Sequence, residues 1–175
     1  IGASTGLGPS GTVDFFEGVV QLGVSVPLVV GTNATSSASM QTAFLSQGNR
    51  TLTCRFNGDG SYVAGTSGGR MIVVNKALAS ASVSGVLGSY ALGATISLTC
   101  NVGGLAAPFV TGSVVFGQNS TQLGEPLALP GNAQTQSVTF NTQAVNAGPG
   151  QAYGCAYLGD SNYFSASSAA VFTSV

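Results

Sequence analysis

The sequence predicts an all-β fold made of two antiparallel β-sandwiches in series, on three observations. First, the chain nearly repeats itself at a constant offset of 101 residues. Gly11-Thr-Val-Asp-Phe15 returns as Gly112-Ser-Val-Val-Phe116, Leu22-Gly23 as Leu123-Gly124, Cys54 as Cys155, and Gly58-Asp-Gly-Ser-Tyr62 as Gly159-Asp-Ser-Asn-Tyr163. A period of that length is a whole domain rather than a solenoid turn. Second, apolar residues alternate with polar ones at period two, the mark of strands buried on one face. Third, helix signals are almost absent: 26 Gly and 6 Pro punctuate the chain, with β-branched residues between them. Short strands joined by Gly- or Pro-bearing turns point to sandwiches.

Taken in order, Val13 and Phe15 read as the inward side of a first strand, and Leu52, Cys54 and Phe56 as that of another. In the second repeat, Thr95 to Val102 directs Ile96, Leu98, Cys100 and Val102 one way and Ser97, Thr99 and Asn101 the other. Val114 and Phe116 repeat the pattern of Val13 and Phe15. Val175, which closes the second repeat, corresponds to Val74, so the predicted domains are 1–74 and 75–175. Lys76 to Cys100 supply the opening two strands of the second domain, and their counterparts would fall ahead of Ile1. The first module is therefore expected to lack those two strands. Ile1 to Ser10 is too rich in glycine to replace them. A sandwich so reduced exposes a sheet edge and half of a core. Three explanations stay open: the chain is a window on a longer repeat protein, a neighbouring molecule supplies strands by β-strand addition, or the first module closes in another way.

Composition narrows the function classes. Charged residues make up 5% of the chain, 4 basic and 5 acidic, and there is no His and no Trp. Ordinary soluble domains carry about 25% charged residues, so solubility here rests on Ser, Thr, Asn, Gln and Gly. Four scattered cations exclude a nucleic-acid partner, because phosphate binding needs clustered Lys or Arg. No apolar run approaches the roughly 18 residues of a membrane span, so insertion is not expected. A nearly neutral surface repels copies of itself weakly, which favours lateral association.

The ordered strings G-[ST]-V-x-F, Leu-Gly and G-D-x-x-Y, each present twice, resemble bacterial immunoglobulin-like repeat domains. These are tandem modules of extracellular surface and adhesin-type proteins. The resemblance covers residues 76–175 completely and 1–74 in part. It implies two tandem immunoglobulin-like antiparallel β-sandwiches, the first lacking its A and B strands and keeping strands C to G. G-[ST]-V-x-F would lie on strand C and G-D-x-x-Y between F and G. It also places Cys100 on strand B and Cys155 on strand F, where a disulfide bridges the sheets; two buried free thiols are the alternative. Leu98, Val114, Phe116, Leu123 and Tyr157 are candidates for packing beside that bridge. Cys54 is then unpaired or intermolecular, since its partner's position would precede Ile1. The chain departs from the bacterial repeats in carrying these cysteines, and from antibody-type domains in lacking a core Trp.

Catalytic residues are not expected. A general base without His must be a perturbed carboxylate, Lys or thiolate. Asp14 and Glu17 are close in sequence, but an offset of three puts them on opposite faces of a strand, and both read as solvated. Asp59 and Asp160 each offer one carboxylate where calcium wants six to eight oxygens, so they read as turn residues bonded to their own backbone. No cofactor or metal is expected. Tyr62 and Tyr163 would cover the ends of the cores. Asn33, Asn49 and Asn119 head Asn-x-Ser/Thr sequons in expected loops and are candidate glycosylation sites, with Thr32–Ser39 and Ser161–Ser168 as candidate O-glycosylated stretches. Lys76, the only lysine, reads as a solvated linker residue at a stiff junction. The expected role is a non-catalytic, extracellular or cell-surface structural module of a stalk, rod or filament. Its partners would be further copies or adjacent repeats. The alternatives are an adhesin that binds surface glycans, or a viral decoration or tail module.

Overall fold

The computed structural model describes residues 6, 8–31, 33–42, 45–86, 88–104 and 108–175. Among them every regular element is a strand, and no helix is long and apolar enough to cross a membrane. The chain divides into two compact units, Ile1–Val74 and Asn75–Val175. Ile1 itself, and Thr32 at the head of one Ser/Thr-rich stretch, lie outside the described residues.

The first unit is built on one antiparallel sheet in the order β2 (Val20–Pro27), β1 (Thr12–Glu17), β5 (Gly48–Phe56), with β6 (Gly65–Thr66) and β7 (Arg70–Val74) both pairing β5. A separate two-residue ladder joins β3 (Val29–Val30) to β4 (Ser36–Ser37). Its turn carries Asn33 and Ala34 at φ 58° and 55°, both in the left-handed region. Val13 faces Phe56 and Phe15 faces Cys54 across the β1–β5 ladder, so the apolar residues of both strands share one face.

The second unit has that sheet and a second one over it. β11 (Thr121–Ala128), β10 (Ser113–Gln118) and β13 (Gln151–Tyr157) run in order, and β14 (Ala166–Ser167) and β15 (Val171–Thr173) pair β13. The registers repeat at 101: Val114 faces Tyr157 and Phe116 faces Cys155. The covering sheet is β8 (Ala79–Ser84), β9 (Thr95–Gly104) and β12 (Thr135–Gln143), with β9 in the middle. Ile96, Leu98, Cys100 and Val102 of β9 are all fully buried, and so are Val114 and Tyr153 of the facing sheet. Phe116 stacks on Phe140 of β12 with ring centroids 5.5 Å apart. Buried Gln136 is fully used: its amide donates to the Val110 and Ala133 carbonyls and accepts from Gly131 N–H.

One element departs from expectation. The counterpart of β12 in the first unit would span 34–42 as strand E. Instead, the described residues there form only Ser36–Ser37, paired with β3. Two causes are visible. The inward positions of β12 are Gln136, Val138 and Phe140, and 101 residues earlier stand Thr35, Ser37 and Ser39. Nor does the unit hold a strand equivalent to β9 for it to pair with, among the described residues. Met40 nonetheless lies over Gly23, close to the place Phe140 takes over Gly124.

The repeated Leu-Gly has a structural reason. In both units the ladder slips, between Val13 and Phe15 and between Val114 and Phe116. A left-handed glycine, Gly23 or Gly124 (φ 67° and 66°), sits in the resulting bulge. A Cβ on Gly124 would lie 2.8 Å from the Phe140 ring. Gly124→Ala is therefore expected to destabilise the second unit by about 1–3 kcal/mol through strain and overpacking. Gly60→Ala, which meets open space, should be close to neutral; urea melts of the two variants check the contrast.

Candidate functional site

The apolar face that recurs in both units is the first candidate, because the second unit covers it and the described residues of the first do not. Cys100 and Cys155 form a disulfide that ties the middle of β9 to the middle of β13, with Cα atoms 6.0 Å apart. Leu98, Val114, Phe116 and Tyr157 are buried, and Leu123 packs against them in part. In the first unit the same register holds Val13, Phe15, Leu52, Cys54 and Phe56. Of these, only Val13 falls among the buried core residues. Cys54 is a free thiol at intermediate exposure.

A serine holds each of these cysteines by its backbone. The last strand breaks between β6 and β7, and again between β14 and β15. At the break Ser67 Oγ accepts from Cys54 N–H, and Ser168 Oγ accepts from Cys155 N–H, both at 3.0 Å. The backbone N–H of each serine donates back to the carbonyl of the same cysteine. Sequence reasoning missed this pair, although Thr66-Ser67 and Ser167-Ser168 stand at the repeat offset.

The Gly-Asp turns act as clamps rather than ligand sites. Asp59 Oδ1 accepts from Ser61 and Tyr62 N–H at 2.8 and 2.7 Å, and Oδ2 accepts from the N–H and hydroxyl of Ser10 at 2.7 and 2.9 Å. Asp160 repeats all four bonds with Asn162, Tyr163 and Thr111. Each carboxylate thus folds its own turn and fastens it to the chain entering β1 or β10. Hydrogen bonds led by the Ser10 amide hold the Asp59 carboxyl down at about 2. At Asp160 burial pushes upward, and the donors of Thr111, Asn162 and Tyr163 outweigh it, so the net direction is downward. Burial, joined by the nearby charge of Asp160, pushes the Tyr157 hydroxyl up.

The two tyrosines that follow the clamps differ. Tyr163 is 1% exposed and donates to the Pro108 carbonyl, while Tyr62 is 40% exposed. In the second unit the entering segment lies along the turn: Ala77 N–H donates to the Asn162 carbonyl, and the Ala77 carbonyl accepts from Phe164 N–H. Lys76 is not a solvated linker residue, because its Nζ donates to the Asp160 carbonyl at 2.6 Å. In the first unit residues Asn57 to Ala64 line an open concavity of about 490 Å³.

Asp14 and Glu17 are both engaged, contrary to their reading as solvated residues. Asp14 accepts from Ser25 Oγ and Asn57 Nδ2, which lowers its carboxyl. Glu17, on the opposite face, makes an ion pair with Arg50 at 3.0 Å. The repeat keeps this contact as a neutral bond from Gln118 to Gln151 at 3.2 Å. Its signal in the sequence was a matched polar pair at the same offset.

The structure separates the three sequons. Asn33 is exposed at the tip of the β3–β4 turn. Asn49 does not lie in a loop; it sits on β5, paired with Val73 of β7. Asn119 is in the β10–β11 turn at φ 48°, and its amide is occupied. Nδ2 donates to Gln151 Oε1 at 2.6 Å, and Oδ1 accepts from Ala152 N–H at 2.9 Å. Nor are the Ser/Thr-rich stretches wholly loops, since Ser36–Ser37 and Ala166–Ser167 are paired. A shallow trough of about 550 Å³ crosses the outer face of the second unit. Its floor is the pair Gly117 and Gly154, where the first unit has Phe16 and Thr53.

No family model and no curated protein matches the sequence. Among solved structures, the fibronectin(III)-like modules of Clostridium thermocellum CbhA are similar to it over 99% of this chain and 79% of that one, with 11% identity and a TM-score of 0.37. That likeness is too slight to assign a family or a function.

Two outcomes test the site. The folded carboxyl of Asp59 stands below the ordinary 3.8, so its clamp contributes stability that is complete above that value and lost as pH falls toward about 2. Carboxyl chemical shifts of Asp59 should titrate near 2, and a midpoint near 3.8 would show an unformed clamp. The disulfide closes a long loop, and reducing it should lower the stability of the second unit by about 4 kcal/mol. Denaturant melts of Cys54→Ser with and without reductant read this directly.

Proposed function

We propose that the chain is a non-catalytic structural segment of an extracellular repeat protein, a stalk or rod of immunoglobulin-like modules of the bacterial repeat type. The observation that carries this reading is the sameness of the two units at 101 residues' remove. The clamp, the bulge, the serine under the cysteine and the ladder registers all recur. A binding tip is distinguished by what one module has and the others lack. Here the repeated features are those that build a sheet, and the carboxylate oxygens of both Gly-Asp turns are consumed internally. The Cys100–Cys155 disulfide suits an oxidising compartment. A surface with few charges suits modules that pack along neighbours.

Electron microscopy of the native surface protein, labelled by an antibody to this chain, is the deciding experiment. The expected image is an elongated array with the label along its shaft. Label confined to a distal tip, together with saturable binding of the chain to one glycan on an array, would replace the structural reading with adhesion.

A further inference from the structure

We propose that the inner face of the first unit is a docking site for a β-hairpin that carries a cysteine, and that this cysteine pairs with Cys54. The inference deepens the structural reading and rests on it. Its occupant is a polypeptide segment outside these 175 residues with the chemistry of Ala79 to Gly104. That means two antiparallel strands, with small and apolar side chains alternating on one face and a thiol in the middle of the second strand.

The second unit supplies the template. There, β8 and β9 lie over β10 and β13, and the residues of β10 and β13 that they cover have counterpart positions in the first unit. Val114, Phe116, Tyr153, Cys155 and Tyr157 are closed over by Ile96, Leu98, Cys100 and Val102. Val13, Phe15, Leu52, Cys54 and Phe56 hold the same ladder positions. The thiol is placed as well. Phe15 faces Cys54 as Phe116 faces Cys155, and Ser67 fixes the Cys54 amide as Ser168 fixes that of Cys155.

A second, separate feature points to the same occupant. In the second unit the approach to the hairpin runs along the Gly-Asp turn, through the Ala77 bonds and the Lys76 ammonium. The equivalent turn of the first unit borders the concavity at Asn57 to Ala64 and leaves Tyr62 40% exposed. The docking hairpin would enter through this concavity and cover Tyr62.

Another copy of this chain is a poor donor. Its hairpin already closes its own second unit through Cys100, and lending it would open one face for each face covered. The bond itself needs two thiols to lose two electrons and two protons. A disulfide of the secretory or extracellular space accepts them and becomes two thiols, the class of oxidant that also serves Cys100 and Cys155.

A peptide of residues 76–104 with its cysteine joined to 2-nitro-5-thiobenzoate tests the site on the intact, oxidised chain. The Cys54 thiolate attacks the peptide sulfur, the new disulfide forms, and the coloured thiolate leaves with the electron pair. The expected result is one peptide per chain, attached at Cys54, with amide exchange across 13–17 and 50–56 slowed by about tenfold or more. A peptide with Ser for Ile96, Leu98 and Val102 should react many-fold more slowly and protect nothing. Equal reaction of both peptides, or attachment without protection, would overturn the proposal. Cys54→Ser should lose the attachment and keep part of the protection when free peptide is in excess. The Cys100–Cys155 bond and the protection of β9 and β13 serve as the internal check: if these are absent the module reading fails, and if only the first unit is unresponsive the docking proposal fails alone.

Discussion

A five-stranded antiparallel sheet with one apolar face is an unfinished object in water, and the rest of this structure follows from how that face is treated. In the second unit β9 runs down the middle of a covering sheet, and its four inward side chains lose all contact with solvent. Burial of that kind stabilises by about 25 cal/mol per Å² of apolar surface. It also fixes register, since a slip by one residue would turn Ile96, Leu98, Cys100 and Val102 outward. The disulfide adds a covalent tie at the centre of the same contact. In the first unit the same strands are present in the same register, yet among the described residues of that face only Val13 is buried.

What the two units share is therefore informative about what a sheet of this kind needs before anything covers it. The ladder must bend, and Gly23 and Gly124 let it bend at the bulge. Its long turn must be fixed to the segment that enters β1 or β10, and one aspartate does so while folding the turn, through four short bonds. The broken last strand must not leave the cysteine amide unpaired, and a serine hydroxyl satisfies it. None of these contacts depends on the covering sheet, which explains how they survive in a unit that shows no such sheet among its described residues.

Much of this was legible in the sequence, for identifiable reasons. Period-two alternation placed the inward residues of β5, β9 and β10, because a side-chain period of two leaves no third choice. The 101-residue offset placed the Gly-Asp turns and matched Cys54 to Cys155. Strand E of the first unit was not legible from the offset alone. There the inward positions had changed from Val138 and Phe140 to Ser37 and Ser39, and a strand needs a partner as well as a position. Glu17 with Arg50, and Lys76 with the Asp160 carbonyl, were missed because each contact joins residues far apart in sequence. Asn49 was read as a loop residue although it follows directly on Gly48, where β5 begins.

The Cys100–Cys155 bond also has a mechanical meaning. Pulled from its ends, an unbridged domain yields its whole contour once the sheets part. Here 55 residues of sequence separation lie inside a covalent ring, which withholds about 190 Å of extended chain at about 3.4 Å per residue. Under tension the second unit would lengthen by its two flanking segments and then stop, still holding β10, β11 and β12 within the ring. For a chain pulled from both ends of this unit, the bridge is a stop on extension.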